Sequence, residues 1–153
     1  MNQFEAALNS ILVEAFHNIL SVEENFLKRN KRVNTTIREM HLLEYVREGK
    51  ENGKTVSEIA QHLKIAKPSV TVMVNKLVKK GFLMKRGSED DGRVVHVILT
   101  RAGRVVETYH HMYHVNMVRE LAKEFNEEER DVLIRAVERL NEYFKNSAGG
   151  TEK

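Results

Sequence analysis

Residues able to do chemistry concentrate in a few places along the chain. Lys67, Pro68, Ser69, Thr71, Val72, Asn75 and Lys76 fall within about three helical turns. Serine, threonine and asparagine can hydrogen-bond base edges or phosphates, a valine can meet a thymine methyl, and a lysine can neutralise a phosphate. Arg86 and Arg93 bracket a turn-rich run and could enter a minor groove. His110, His111 and His114 cluster further on. The first and last of these are four apart, so they share a helical face and could hold one Zn²⁺, although such histidines more often serve as polar core or interface residues. Asp90 and Asp91 are adjacent but have no nucleophile or metal partner in view, and no phosphate loop or dinucleotide fingerprint occurs. No enzyme is expected.

Charge adds direction to these groups. Residues 54–104 hold eleven Lys/Arg and four Asp/Glu, a net +7, while the rest of the chain is net −4. A basic centre between acidic flanks fits a polyanion-binding segment. The chain lacks cysteine, which excludes disulfides, thiol catalysis and cysteine-ligated zinc. Its longest stretch free of Lys, Arg, Asp and Glu, residues 108–118, is too short to span a bilayer, and no secretory signal opens the chain. A cytoplasmic protein is expected, with no membrane partner.

The elements that must position these residues follow from periodicity and caps. Phe4, Leu8, Ile11, Leu12, Ala15, Ile19, Leu20 and Val22 mark a first helix that fades in the basic run 28–32. Thr36 with Glu39, and Thr55 with Glu58, have capping-box spacing and open two further helices. After a brief connection at 64–67, Pro68 suits the first position of the next helix, and Gly81 behind Lys79 and Lys80 ends it. Residues 82–86 and 94–99 are bulky and β-branched around the turn-rich 87–92, which predicts a hairpin. Thr100 can cap a helix reaching about Lys123, and Asn126 with Glu129 a last one. Helix, short turn, helix and hairpin within a basic segment predict a mainly α fold, a winged helix-turn-helix with a two-stranded β wing and a helical dimerisation region. The leading turn of its second helix would enter a major groove, placing Lys67, Pro68, Ser69, Thr71, Val72, Asn75 and Lys76 at double-stranded DNA. The expected layout is 1–33 for an N-terminal dimerisation helix, 34–100 for the DNA-binding domain, 101–146 for C-terminal dimerisation helices and 147–153 for a flexible tail.

The run SEDDGRVVHVILTRAG at residues 88–103 resembles the wing of the MarR family, with Asp91, Arg93, Leu99, Thr100 and Gly103 matching its pattern. The resemblance covers nearly the whole chain. It implies that Asp91 helps hold the wing, that Arg93 reaches the minor groove, and that the first helix and the last two form a homodimer on a pseudo-palindromic operator. IREMH at 37–41 and RVVH at 93–96, with Leu99, Thr100, His110, His114, Met117 and Val118, resemble the branch that represses bacterial fatty-acid synthesis genes. That branch implies long-chain acyl chain on acyl carrier protein as corepressor, and no resident cofactor or metal. Phe16, Ile19, Leu20, Met112, Tyr113 and Met117 could line the acyl site, since methionine adapts to irregular apolar ligands, although their spacing also suits an ordinary dimer core.

A zinc-sensing branch of the same family offers an alternative. Its ligands would fall on Glu24 (or its neighbour Glu23), His41, His110 and His114. Against it, Arg29, Met40 and Tyr109 stand where a second site would need ligands, and the same histidines occur in the fatty-acid branch. A last alternative is a winged-helix module that binds protein rather than DNA, which the basic segment disfavours.

Overall fold

The computed structural model describes residues 1–31, 33–87 and 94–149. It divides into two units, residues 1–110 and 111–153. The described elements are α1 (Gln3–Arg29), α2 (Ile37–Glu48), β1 (Lys54–Thr55), α3 (Val56–Leu63), α4 (Lys67–Lys79), β2 (Leu83–Gly87), β3 (Val95–Leu99), α5 (Arg101–Lys123) and α6 (Glu127–Gly149). No described helix is long and apolar enough to cross a membrane.

The expected caps are formed. Thr36 accepts from the Glu39 amide while Glu39 accepts from the Thr36 amide, and Thr55 and Glu58 repeat the exchange. Asn126 and Glu129 do the same ahead of α6. A further box, Asn2 with Glu5, starts α1. Each box satisfies two first-turn amides that the helix itself leaves open.

In the first unit, α2, α3, α4 and the sheet enclose a core of Met40, Leu42, Leu43, Val46, Ile59, Val70, Val74, Leu77, Leu83, Val97 and Leu99. Lys64, in the left-handed region at φ 53°, turns the chain between α3 and α4. Ala66 occupies the N-cap of α4, so Lys67, not Pro68, is its first helical residue.

The sheet differs from expectation in having three strands, ordered β1-β3-β2 and antiparallel throughout. Lys54 and Thr55 pair with Val97 and His96, so the helix-turn-helix is stitched to the wing before α3 begins. Two residues are too few for an alternating pattern to register. Gly53, at φ 70°, permits this pairing, because a Cβ there would fall on the Val97 carbonyl.

The start of α5 explains the Leu-Thr-x-x-Gly run. Thr100 Oγ1 donates to the Gly81 carbonyl at 2.6 Å and accepts from the Gly103 amide at 3.0 Å. A side chain at Gly103 would collide with the Phe82 carbonyl. Gly103, Val106, Glu107 and His110 then form the buried stripe of α5 within the first unit.

In the second unit, α6 runs through Gly149, past the expected boundary at Ser147. Arg130 ties α6 to the end of α5, its guanidinium donating to the Ala122 carbonyl at 2.6 and 3.0 Å.

Candidate nucleic-acid interface

Helix α4 separates its two faces cleanly. Val70, Val74 and Leu77 are fully buried, whereas Lys67, Pro68, Ser69, Thr71, Val72, Asn75 and Lys76 are all exposed. Val72 is 67% exposed. Its neighbours supply polar atoms on the same outward face. Thr71 Oγ1 donates back to the Lys67 carbonyl at 3.0 Å, which orients its lone pairs outward. Ala66 provides no side-chain cap, so the positive end of the helix dipole is left for an anion such as a phosphate.

The back of α4 is held by Glu39, a residue whose spacing marks it only as a capping-box member. Its buried carboxylate meets Lys76 Nζ and Lys80 Nζ, each at 2.8 Å, besides the Thr36 amide at 3.0 Å. Lys80 also donates to the Asn34 carbonyl at 2.6 Å. Burial pushes the Glu39 carboxyl up, but the hydrogen bonds from Lys76, Lys80 and Thr36 outweigh it and hold the group below its ordinary value of 4.5. Lys76 is therefore a structural partner of α2 as well as an exposed cation.

The wing is described up to Gly87 and again from Val94. Asp91 and Arg93 lie outside the described residues. Arg86 is described, and its guanidinium donates to the Glu51 carbonyl at 2.6 Å. That contact anchors the wing to the turn after α2, a role its place beside the wing turn does not disclose. Lys85, which sequence reading passed over, donates to Asn75 Oδ1 at 2.7 Å and so links β2 to α4.

Away from α4, three helices meet at one imidazole. His110 of α5 is fully buried, with Nδ1 2.8 Å from Glu44 of α2 and Nε2 3.1 Å from Glu23 of α1. Burial lowers its pKa, yet the bonds and charges of Glu44 and Glu23 raise it above 6.5 overall. The protonated ring suits two flanking carboxylates because both nitrogens then donate. His41 Nε2 lies 4.0 Å from the same Glu23 oxygen. Glu24, by contrast, is exposed and pairs with Lys28 at 3.2 Å, so Glu23 is the acidic residue turned toward the histidines. A second ion pair, buried Glu107 with exposed Arg47 at 3.1 Å, also joins α5 to α2. His114 lies in the second unit.

The expected acyl-lining residues are split between the units. Phe16 and Ile19 are 61% and 62% exposed on α1 and Leu20 is half-buried, while Met112 and Met117 are exposed and Tyr113 half-buried on α5. The first unit also contains an apolar cavity of about 280 Å³ lined by Asn30, Val33, Val105, Val106 and Tyr109, with Phe26 stacked on Tyr109 at 5.5 Å. Periodicity could not locate it, since its walls come from a loop and a distant helix.

Residues 36–95, from the cap of α2 to the first residue of β3, match the MarR family model. Across 93% of this chain and 98% of the other, the fold superposes on FabT of Streptococcus pneumoniae, solved in complex with DNA, at 30% identity and a TM-score of 0.86. The chain belongs to the MarR family. As a MarR-type DNA-binding regulator, it is not an enzyme. A MarR family protein from Bacillus stearothermophilus shares the fold at 20% identity and a TM-score of 0.78, covering 95% of this chain and 99% of that one. So does MepR of Staphylococcus aureus, in a DNA complex, at 18% identity and a TM-score of 0.73, covering 88% and 96%. No curated protein matches the sequence. Within this MarR fold, α4 is the second helix of the helix-turn-helix, the position of a recognition helix, and β2–β3 form the wing.

Proposed function

We propose that the protein is a repressor of fatty-acid synthesis genes that binds a pseudo-palindromic operator as a homodimer, with long-chain acyl-acyl carrier protein as corepressor. The observation that carries this reading is the 30% identity to FabT over 93% of the chain, together with the exposed polar face of α4. In this reading Lys67, Ser69, Thr71, Val72 and Asn75 meet the major groove, and Lys76 a phosphate as well as Glu39. Arg93 reaches the minor groove. The dimer would bury the apolar stripe of α1, where Phe4, Ile11, Ile19 and Val22 are each at least half exposed, and that of α6, where Val137 and Phe144 are too. Single exposed apolar residues are ordinary, but a continuous stripe marks an interaction face.

The test is a gel shift on a fatty-acid synthesis promoter, with free carrier, with long-chain acyl-carrier protein and without either. Tighter binding with the acylated carrier alone is expected. Binding unaffected by any carrier would remove the corepressor from the reading.

A zinc-responsive regulator is the second reading, favoured by the approach of Glu23, His41 and His110 in the first unit. It predicts that a chelator releases the protein from DNA and that the His110→Ala, His114→Ala double variant behaves like the chelated protein. In the corepressor reading the chelator has no effect.

A further inference from the structure

Asn75 sits on the outward face of the recognition helix, where an asparagine most often reads adenine. That contact is bidentate: Oδ1 accepts from adenine N6 while Nδ2 donates to N7. Here Oδ1 is already engaged. Lys85 Nζ lies 2.7 Å from it, and an ammonium has three donors and no acceptor, so the atom turned toward Lys85 must be the oxygen. The position of Lys85 makes the contact possible. Alternation along β2 puts Lys85 on the same face as buried Leu83, the face turned toward the helices, and opposite Val97 of β3. Its stem, though exposed, therefore runs from the wing strand toward α4.

We propose that Lys85 is a positioning residue that sets the base preference of Asn75. By holding Oδ1 toward the wing, it leaves the Nδ2 donors facing outward. The recognition helix then reads an acceptor edge at that base pair, guanine O6 and N7 or thymine O4, and disfavours adenine. This inference rests on the DNA-binding reading of α4. It also couples the wing to the recognition helix, so a displacement of β2 would alter base preference as well as affinity.

Selection from a random-sequence duplex pool by the full-length protein, followed by sequencing, tests it. Wild type should enrich a site with guanine or thymine at the pair facing Asn75. Lys85→Met should shift preference there toward adenine by about tenfold, within the range of one bidentate base contact. Lys85→Arg, which keeps a donor, should retain the wild-type preference. In an Asn75→Ala background Lys85→Met should change nothing further at that pair. If Lys85→Met lowers affinity for all sequences alike and leaves the ranking intact, Lys85 only neutralises a phosphate and the proposal is overturned. The same holds if wild type already selects adenine. A wild-type protein that enriches no sequence would overturn the DNA-binding reading itself, and this inference with it.

Discussion

Removal of the Glu39 carboxylate would strand Lys80, a side chain only 19% exposed, and free Lys76 from the back of the recognition helix. Breaking a largely buried pair from one side is costly, so Glu39→Ala should lower stability by about 3 kcal/mol in urea unfolding. A loss below about 1 kcal/mol would mean that solvent screens both lysines. The depressed Glu39 pKa carries a definite sign. Its stabilising contribution is present above 4.5 and is lost as pH falls through the folded value, so Glu39→Gln should flatten the acid side of the stability profile. His110 acts in the opposite direction. Its raised pKa makes its contribution complete below 6.5 and lost as pH rises through the folded value. Thermal unfolding followed as pH rises above 6.5 should show a decline, and His110→Asn should remove it. A profile identical in the two proteins would show that the imidazole stays neutral between its carboxylates.

Elements were legible in the sequence wherever a cap or a stop fixed them. Thr36, Thr55, Thr100 and Asn126 each precede a helix in the structure, because a side-chain oxygen followed three residues later by an amide partner is a local signal. What escaped is non-local. The strand Lys54–Thr55 exists only because β3 lies beside it, and the pairs Lys85–Asn75, Arg86–Glu51 and Lys80–Glu39 join residues distant in sequence. Helical phase decides Glu23 over Glu24, one residue apart, and the α1 stripe alone does not resolve it. Gly103 was visible as a motif residue, but its reason appears only where α5 crosses the Phe82 carbonyl. Gly103→Ala should therefore destabilise the protein by about 1–3 kcal/mol through overpacking, although alanine is the better helix former. An alanine variant as stable as wild type would show that α5 can shift without cost. For the wing, Arg93→Ala should weaken operator binding strongly. Lys76→Ala should reduce both DNA affinity and stability, whereas a plain phosphate contact would change the first alone.

At the scale of the whole molecule, the homodimer proposed above would cover the exposed apolar residues of α1 and α6, and sedimentation at micromolar concentration should then give about twice 17.7 kDa. A helical monomer would contradict the dimer and any effector site that depends on it. The corepressor prediction then follows from where an acyl chain can gain affinity. Its polar carrier can dock on charge, but discrimination between loaded and free carrier must come from the chain, whose only strong interaction is burial. Each buried methylene contributes about 0.8 kcal/mol, or about fourfold in affinity. The acyl effect on operator binding should therefore climb steeply with chain length and stop abruptly once the site is full. Ile19→Trp, on the exposed stripe of α1, should abolish the acyl response while leaving basal DNA binding intact, because α4 and the wing are untouched. Val105→Trp, at the cavity beside Asn30 and Tyr109, should do so instead if the chain threads there. Gel shifts with carriers of increasing acyl length read both the slope and the cutoff, and an affinity independent of chain length would exclude a buried acyl group as the signal.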